Sequence, residues 1–566
     1  MKKWILKNTG ESPQFEGISP TIAGLLGSRG LETEAEVSEF FSDMPQKTYD
    51  PFLLRGMREA VDKIEDHIRR GSRICIYGDY DVDGVTASCL LFEFLTEVTK
   101  NVEIYIPSRK GEGYGLNKTA VTGLKSKGID LLITVDCGIS AYEEVALALD
   151  LGLDIIVTDH HTPGEKPLGC VTINAKQKGC PYPFKELCGC GVAYKLIQAL
   201  QRDMGLDRRL ILRGLDLAAI ATVADIVPLK DENRTIVKYG LKRVNAKKRV
   251  GLDCLISMIG GNIASKEIGA GEIAFIIGPH INAGGRVDSA EAGLKLLLEK
   301  DRAEAERYAE RLIENNNMRK SLQNEGYLKA KKSLEEGREE DFVLITGEKI
   351  HEGVAGIIAG KLKDEYNRPA MILTRNPETG VLKGTARSID SVNLYDFLNT
   401  QSDLFVNFGG HRAACGFSIE EKNLPAFRKG LTEEFERLKA GDENLLDEVL
   451  YLDGVIDLGE VTNDFGMQVE KMEPFGQANP RPVFMIEEVL ISDFQLVGKE
   501  KEHCRFFLRD LKGRSVECIM FNAEERFRGL AFEGRPMDFA GRVNMNYRGG
   551  EYNVQFMPTD FRFSEK

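Results

Sequence analysis

Long apolar runs are absent from this sequence. No stretch of its 566 residues approaches the roughly 18 consecutive apolar residues that a helix needs to cross a bilayer. Residues 1–5 also lack the sustained apolar segment and cleavage site of a signal peptide. We therefore expect a cytoplasmic protein that does not bind a membrane.

Two common metal and nucleotide motifs are also missing. Four of the 11 cysteines crowd one segment, at Cys170, Cys180, Cys188 and Cys190. They form no paired CxxC knuckles, so we expect reduced, half-buried thiols rather than zinc ligands. The nearest approach to a P-loop, residues 356–362, has one residue too few between its glycines and ends on Leu362 instead of Ser or Thr. An ATP-driven motor is therefore excluded.

An excess of basic charge is lacking, since the formal net charge is −13. This total does not exclude a nucleic-acid partner, because metal-binding carboxylates inflate the acidic count and a local basic face is what attracts phosphate.

The chain is too long for a single core, and we expect three or four domains. Between residues 61 and 199 apolar strands (73–78, 101–106, 130–136 and 153–158) alternate with amphipathic helices (84–99, 117–127, 140–151 and 190–203). This alternation predicts βαβ units and a parallel sheet. The predicted order is a helical lead-in (1–45), an α/β domain (46–289), a connecting helix (290–336), a second α/β lobe (337–445) and a small β-barrel resembling an OB-fold (446–566) with a hairpin at 546–554.

Acidic and imidazole residues follow the predicted strands of the first α/β domain. They are Asp79, Asp81 and Asp83 after the first strand, Asp136 after the third, and His160 and His161 after the fourth. Asp225 ends an apolar stretch, 215–223, that is typical of a helix. An open α/β sheet builds its active site at the carboxyl ends of its strands. Oxygen ligands with one or two imidazoles suit Mg²⁺ or Mn²⁺, so the sequence predicts a metal-dependent hydrolase.

The spacing of Asp79, Asp81 and Asp83 allows several interpretations. An EF-hand loop is excluded because its twelfth position is Leu90. If the strand stays extended, Asp81 and Asp83 point the same way and converge on metal ions; alternatively, the acidic string merely caps a helix at Gly84. Of the two adjacent histidines, one would face the site and the other would stand aside as an acid or orienting group.

Further along, glycine-rich strings carry possible phosphate donors. Five of the seven histidines lie in such glycine- or acid-rich strings. Backbone amides at glycines, together with His and Arg, can bind phosphate, although a glycine turn with incidental polar residues is an equal alternative. In the tail, basic residues (Lys499, Lys501, Arg505, Arg509, Arg542 and Arg548) interleave with aromatic ones (Phe506, Phe507, Tyr547 and Tyr552). Either a stacking platform for single strands or ordinary barrel packing explains this pattern.

The ordered strings GDYDVDG (78–84), VDCG (135–138), DHH (159–161) and ADIVPL (224–229) closely resemble the DHH phosphoesterase family. GGHRAACG (409–416) resembles its companion DHH-associated domain. The resemblance continues through residues 107–109, 112–116, 278–282 and 351–357, and covers roughly residues 45 to 566. It implies a DHH catalytic domain at 46–289, a DHH-associated domain at 337–445, and an exonuclease that degrades single-stranded DNA 5′→3′ to mononucleotides in DNA repair and recombination.

The resemblance also implies roles for individual residues. Two Mn²⁺ or Mg²⁺ ions would be held by Asp81, Asp83, Asp136, His160 and Asp225, with Asp136 bridging and Asp79 and His161 beside them. Tyr77 stands where smaller family members carry a histidine, and Asp79 is the natural substitute. His161 or His411 would polarise the phosphoryl oxygen. The phosphate and strand would contact Arg109, Tyr114, His280, Asn282, Arg286, His351, Thr385, Arg387, Gly409, Gly410 and Arg412; His280 stands where other members often carry arginine.

Two other functions remain open from the sequence. One is a small-molecule phosphoesterase acting on dinucleotides, cyclic dinucleotides or pyrophosphate, which the tail argues against. The other is a catalytically inactive scaffold for single strands, which the intact ligand set argues against. For the nuclease we expect single-stranded DNA as partner, cooperation with a helicase and a single-strand-binding protein, and a monomeric state.

Overall fold

The structure, a computed structural model, describes residues 2–7, 13–108, 115–335, 341–347, 350–375, 380–548 and 550–564. Arg109 and Tyr114 lie outside these residues. None of the described helices is both long and apolar enough to span a membrane. The 11 cysteines are free thiols, and all except Cys170 are buried.

The start of the chain, which we expected to be helical throughout, begins with a strand. Strand β1 (Lys3–Leu6) pairs in parallel with a distant strand, Val449–Leu452. Helices α1 (Pro20–Ser28) and α2 (Glu34–Phe41) follow. The strand forms because Trp4 and Leu6 face a small apolar cluster while Lys3 and Ile5 face outward, a period-two pattern that fits a sheet edge.

The first α/β domain has a five-stranded parallel sheet. Its strands are β2 (Ile74–Gly78), β3 (Val102–Tyr105), β4 (Leu131–Val135), β5 (Asp154–Thr158) and β6 (Val171–Ile173). The strand order is β3-β2-β4-β5-β6. The four strands predicted from the sequence lie within one residue of β2 to β5, whereas the short edge strand β6 was not predicted.

Helices cover both faces of this sheet. They are α3 (Met57–Arg70), α4 (Val82–Leu95), α5 (Lys118–Ser126), α6 (Tyr142–Asp150) and α7 (Gly189–Asp203). The domain continues with helices that pack mainly on other helices: α8 (Arg209–Arg213), α9 (Leu215–Ala224), α10 (Asp231–Asn245), α11 (Val250–Ile259), α12 (Asn262–Ser265), α13 (Ala270–Glu272) and α14 (Gly278–Val287), with a π-helical turn at Ile273–Ile277. Side chains alternate between the faces: Ile74 and Ile76 join the core beneath α4 and α7, while Cys75 and Tyr77 join the core beneath α5 and α6. Parallel strands buried on both faces place their carboxyl ends at one edge.

The connecting segment is two helices rather than the single helix predicted for 290–336. Helix α15 (Glu291–Leu298) ends where Glu299 becomes extended, and α16 (Arg302–Glu335) begins after Asp301, whose carboxylate accepts the Glu304 amide at 3.0 Å. Its 34 residues span about 50 Å, enough to connect two lobes.

The second lobe is a mixed sheet covered by helices. Its strands are β7 (Val343–Thr346), β8 (Ala370–Arg375), β9 (Val381–Arg387), β10 (Phe405–His411) and β11 (Ala414–Glu420), in the order β10-β11-β9-β8-β7. Helices α17 (Glu352–Tyr366), α18 (Leu394–Asn399) and α19 (Leu424–Gly441) accompany them, with 3₁₀ turns at Ser402–Leu404 and Glu421–Asn423. Strand β10 lies at the edge of the sheet.

The C-terminal part is a closed barrel. Its strands are β12 (Val449–Leu452), β13 (Gly454–Val455), β14 (Phe484–Val497), β15 (His503–Arg509), β16 (Ser515–Met520), β17 (Met537–Arg548) and β18 (Glu551–Phe563), with helices α20 (Asn463–Lys471) and α21 (Glu524–Phe527). Because β14 pairs with both β15 and β17, five strands close into an OB-type barrel. The predicted hairpin is the β17–β18 connection. Helices α1 and α2 contribute Ile22, Leu26 and Val37 to the barrel core.

Candidate metal centre

Acidic and imidazole side chains meet at the carboxyl edge of the parallel sheet. Three overlapping groups have possible ligand atoms within 4.8 Å of one another: Asp136, Asp159, His160 and His161; Asp83, His160 and Asp225; and Asp79, Asp81 and Asp136. All six predicted metal ligands therefore lie together. Most of these side chains are buried, so the site is a pocket rather than an acidic surface patch.

The turn after β2 is a helix cap rather than an extended strand end, the two conformations that the sequence left open. Helix α4 begins at Val82, Asp81 is its N-cap and accepts the Gly84 amide at 3.1 Å, and Asp83 lies in the first turn. The helix cap forms because a carboxylate at the N-cap satisfies amides that a helix start leaves free. Asp81 thus caps a helix and also borders the cluster.

The start of α7 binds Asp83. The backbone amides of Gly189 and Cys190 donate to the two carboxylate oxygens of Asp83 at 2.6 and 2.7 Å. A Cβ atom on Gly189 would lie 2.5 Å from Asp136 Cβ, so only glycine allows this approach. The contribution of these amides was not predicted from the sequence, although the glycines at the start of a predicted helix could have indicated it.

Asp136 and His160 form the centre of the cluster. Asp136 has a left-handed backbone (φ 60°), which turns its side chain into the site immediately after β4. His160 Nε2 lies 3.2 Å from Asp136 Oδ1, 3.6 Å from Asp225 Oδ2 and 3.8 Å from Asp83 Oδ2. One imidazole therefore faces three carboxylates.

Crowding and burial shift the acidities of these groups. Burial first, and neighbouring carboxylates second, raise the pKa of Asp136 well above its usual value, that of Asp83 to about 6, and those of Asp79 and Asp225 to about 8. Burial, together with the charge of His161, lowers the pKa of His160 to about 3, so its ring is neutral. A neutral imidazole is the form that binds metal.

Several buried polar atoms in this cluster have no hydrogen-bond partner. They are Asp79 Oδ1, Asp136 Oδ1, and His160 Nδ1 and Nε2. Buried polar groups without partners are costly, and a divalent cation would satisfy carboxylate oxygens and an imidazole nitrogen together. The donor set of carboxylates and imidazole fits Mn²⁺ or Mg²⁺.

His161 is held by a carboxylate that the sequence analysis did not select. His161 Nδ1 lies 2.7 Å from Asp159 Oδ1, and Asp159 Oδ2 accepts the Ile139 amide at 2.9 Å. Burial alone would lower the pKa of His161, but the hydrogen bond and charge of Asp159, with Asp225 and Asp83, raise it to about 9. His161 is therefore an imidazolium at neutral pH. Asp159 precedes the histidine pair directly, so adjacency was the available signal.

Tyr77 lies away from the cluster. Its ring is fully buried and stacks on Tyr105 with centroids 5.3 Å apart, and its hydroxyl donates to the Gly115 carbonyl at 2.9 Å. The side chain belongs to the core beneath α5 and α6. Asp79, in contrast, lies beside Asp81 and Asp136.

The predicted substrate residues on α14 line a cavity of about 580 Å³ that extends to Ala224, the residue before Asp225. Asn282 Oδ1 accepts the Val82 amide at 3.0 Å and so supports the start of α4. His280 is buried between the Ile276 carbonyl and Asn316 Nδ2, at 2.7 and 3.0 Å. Arg286 donates to the Gly353 carbonyl of the second lobe at 3.2 Å. Arg319, Lys320 and the largely exposed Phe275 (83%) also line this cavity.

The predicted residues of the second lobe lie on two of its strands and one helix. Thr385 and Arg387 are on β9 and face α17 at Gly356, where a Cβ atom would lie 3.1 Å from both side chains. His351 caps α17, accepting the Gly353 amide at 3.1 Å.

Gly409, Gly410 and His411 are on the edge strand β10, and Arg412 donates to the Asp390 carbonyl at 2.7 Å. Among the described residues, the metal-binding groups include none from this lobe.

The aromatic and basic residues of the tail divide between core and surface. Phe506 is fully buried in the barrel, and Arg505 and Arg509 pair with Glu517 and Asp493. Tyr547 and Tyr552 are 62% exposed, with ring centroids 4.8 Å apart at the β17–β18 hairpin.

The parallel sheet with its carboxylate and imidazole cluster, followed by a second α/β lobe, defines a phosphoesterase of the DHH class. Family models match in the same order: the DHH family N-terminal domain at residues 73–222, the DHHA1 domain at 340–437 and the RecJ OB domain at 452–560. The chain belongs to the RecJ family.

The similarity to curated RecJ proteins extends over nearly the full chain. This chain is 36% identical to the single-stranded-DNA-specific exonuclease RecJ of Bacillus subtilis, and the match covers 97% of this chain and 68% of that protein. It is 32% identical to RecJ of Escherichia coli, covering 95% of each.

Solved structures agree with this assignment. RecJ in complex with Mn²⁺ from Thermus thermophilus matches with a TM-score of 0.81 and 30% identity, covering 97% of this chain and 76% of that chain. A manganese-bound exonuclease RecJ matches with a TM-score of 0.59 and 35% identity, covering 70% of this chain and 98% of that chain.

Proposed function

We propose that this protein is a metal-dependent exonuclease that hydrolyses single-stranded DNA from the 5′ end to mononucleotides. The observation that carries the proposal is the buried cluster of Asp79, Asp136 and His160 atoms without hydrogen-bond partners, next to a cavity lined by cationic side chains. Such a pair of features suits a phosphodiester, which needs both metal ions at the scissile phosphate and basic groups along the strand.

In this proposal Asp79, Asp81, Asp83, Asp136, His160 and Asp225 hold two Mn²⁺ or Mg²⁺ ions. Bound there, the ions would activate water and offset charge on the attacking and departing oxygens. The amides of Gly189 and Cys190 fix the Asp83 carboxylate. These contacts keep the ligand geometry ready before substrate arrives.

His161 supplies a charged hydrogen-bond donor. Its Nδ1 is directed to Asp159, so its other ring nitrogen can donate to a phosphoryl oxygen as negative charge develops. His411, on the second lobe, is proposed to donate to the same phosphate from the opposite side. Both roles concern stabilisation of the transition state rather than binding of the strand.

The cavity beside the cluster is proposed as the entry of the strand. Phe275 offers an exposed ring for base stacking, and Arg319 and Lys320 offer cations for phosphates. The 5′-terminal phosphate is assigned to Arg109, Tyr114, His280, Thr385 and Arg387. The predicted contacts Asn282, Arg286, His351, Gly409, Gly410 and Arg412 hold the surrounding backbone.

We further propose a cytoplasmic monomer that acts in DNA repair and recombination with a helicase and a single-strand-binding protein. The net charge of −13 is compatible with an enzyme that binds DNA at a local basic site.

The test uses single strands labelled at the 5′ or the 3′ end, a duplex and a dinucleotide, each with Mn²⁺. We expect mononucleotides to appear first from the 5′-labelled end of the single strand, with the duplex resistant and the dinucleotide cleaved more slowly. Asp136→Asn is the control and should abolish cleavage while strand binding persists. Early release from the 3′-labelled end would contradict the polarity, and faster cleavage of the dinucleotide would indicate a small-molecule phosphoesterase.

A further inference from the structure

The loop that carries Asp225 has a strained backbone. Asp225 is the C-cap of α9, and Ile226 follows with φ 58° while its side chain is 69% exposed. A β-branched residue rarely adopts the left-handed region, and such a conformation persists only where the surrounding structure enforces it. Contacts outside the loop must therefore hold Asp225 in place.

One support comes from the same domain and another from the C-terminal domain. Asn233 Nδ2 donates to the Pro228 carbonyl at 3.0 Å from helix α10. The Leu229 amide donates to the Gln477 carbonyl at 2.7 Å. Gly476 also lies against Leu229, since a Cβ atom on it would be 2.6 Å from Leu229 Cδ1. Residues 472–480, here named the bracing segment, therefore directly contact the loop that carries Asp225.

A buried arginine fastens the bracing segment to the catalytic domain. Arg234, which is almost fully buried on α10, donates to the Met472 carbonyl at 3.1 Å and to the Glu473 carbonyl at 2.7 Å. It also donates to the Phe40 carbonyl and stacks on the Phe40 ring.

Within the segment, Asn479 Nδ2 donates to the carbonyls of Met472 and Pro474 at 3.0 and 2.8 Å, and its side-chain oxygen accepts from Arg29 of helix α1. Asn479 is buried, so these bonds are shielded from water. The segment is therefore a fixed surface rather than a flexible loop tip.

We propose that the bracing segment positions Asp225 for metal binding, so that the C-terminal domain sets the metal affinity of the catalytic domain as well as carrying a barrel. This inference rests on the proposed metal cluster. Arg234, Asn479 and Gly476 are positioning residues, since they act through Leu229 and touch neither metal nor substrate. Groups that orient a ligand from outside the coordination sphere change metal affinity without donating to the ion.

Two basic residues one turn apart on α10 allow a matched test. Lys238 donates to the carbonyls of Phe40 and Ser42 at 3.4 and 2.6 Å. The hydrogen bonds of Lys238 go to residues before the catalytic domain, whereas Arg234 also donates to two carbonyls of the bracing segment. Arg234→Met and Lys238→Met each remove one cation from the same helix face, a buried one at Arg234 and a half-buried one at Lys238. A loss confined to Arg234→Met therefore reports the bracing segment rather than general loosening of α10.

The measurement is calorimetric titration of the full-length protein with MnCl₂ without DNA, below the unfolding temperature of each variant. We expect Arg234→Met to weaken Mn²⁺ binding by about tenfold and Lys238→Met by less than about twofold. Arg234→Lys, which keeps one donor, should fall between Arg234→Met and the wild type. Wild-type Mn²⁺ affinity in a folded Arg234→Met protein would overturn the proposal.

If Arg234→Met does not fold, the Gly476→Ala variant tests the proposal instead. Its added methyl would press on Leu229 Cδ1 without removing any hydrogen bond, so weaker Mn²⁺ binding supports the proposal and unchanged binding overturns it. The outcome is independent of the nuclease assignment, because a wild type that binds Mn²⁺ but leaves single strands intact would contradict the proposed function alone.

Discussion

Asp159 determines the protonation of His161 without belonging to the predicted ligand set. It accepts hydrogen bonds from the backbone amides of His160, His161 and Ile139 and from the His161 ring. Burial alone would raise the pKa of Asp159, but these hydrogen bonds and the charge of His161 lower it, so the carboxylate stays ionised. Asp159 thus keeps the His161 ring positively charged beside the carboxylates of the cluster.

Replacing Asp159 should therefore change the pH profile of cleavage. His161 has a pKa of about 9 and is charged below that pH. In Asp159→Asn the charge that raises this pKa is lost, so it falls toward the ordinary value of about 6.5 and the alkaline decline moves to lower pH. At pH 8 the charged fraction of His161 would fall about 30-fold, so we expect a loss of about 30-fold in kcat, measured on a labelled single strand.

Asp154→Asn is the matched control for this experiment. Asp154 begins the same strand β5 and also contacts a histidine, His67, at 3.1 Å, but at the opposite end of the strand. The Asp154→Asn variant should leave the pH profile of cleavage unchanged. An Asp159→Asn protein that keeps the wild-type alkaline limb would show that His161 is not the titrating donor.

The individual ligands were predictable to different degrees. Asp136 and His160 follow apolar runs that can only be buried strands, so their meeting at one edge follows from parallel topology. Asp159 and Gly189 were not predicted as site residues, because their contributions depend on backbone amides and on an approach between segments that are distant in sequence. His280 and Asn282 were expected to bind phosphate, but the structure engages them in contacts with Ile276, Asn316 and Val82; their role in substrate binding stays a prediction.

Helix α7 acts on the cluster through its first turn. Its amides at Gly189 and Cys190 bind Asp83, and the helix dipole adds partial positive charge at the same end. Both effects favour the ionised form of a carboxylate whose pKa burial raises to about 6. The element thus prepares one ligand and limits the space around another, Asp136.

Gly189→Ala should disturb this arrangement. The new methyl would lie 2.5 Å from Asp136 Cβ and 2.8 Å from Asp136 Cα, so the backbone of one segment must move. We expect Mn²⁺ affinity to fall by about 10- to 100-fold in calorimetric titration. Gly191→Ala serves as control, because its methyl would meet only Leu187 and Cys188 side chains at 3.3 Å or more. Equal affinities in the two variants would contradict the role of Gly189.

Elements were predictable where local pattern determined them. Strands β2 to β5 have apolar runs closed by polar residues, which is why their limits agree within one residue. Strand β1 was not predicted, because its four residues have no local strand signal and their partner, β12, lies more than 400 positions away. The break between α15 and α16 was not predicted, because Asp301 caps a helix inside a continuous charge-rich pattern.

We expect the barrel and the catalytic domain to contact different parts of a long single strand. The exposed rings of Tyr547 and Tyr552 lie on a hairpin of the barrel, whereas the metal cluster lies on the parallel sheet. Stacking surfaces of this kind bind bases without regard to sequence. A substrate too short to reach the hairpin would gain nothing from it.

The double variant Tyr547→Ala with Tyr552→Ala should separate these contributions. Each lost stacking contact costs about 1–3 kcal/mol, so KM for a long single strand should rise about 10-fold or more while cleavage of a dinucleotide stays unchanged. Tyr451→Ala, which removes an exposed tyrosine on β12, is the control and should alter neither rate. Equal losses on both substrates would place the tyrosines in the catalytic site instead.

The pairing of β1 with β12 has a consequence for biogenesis. Residues 3–6 leave the ribosome long before their partner at 449–452, which is translated more than 400 codons later. At about 5–20 residues per second the amino-terminal strand waits for on the order of half a minute, with Trp4 and Leu6 uncovered. A nascent chain can therefore complete its metal-binding sheet well before β1 pairs with β12. Ribosome-bound intermediates should expose Trp4 to quenchers until residues 449–452 have been translated.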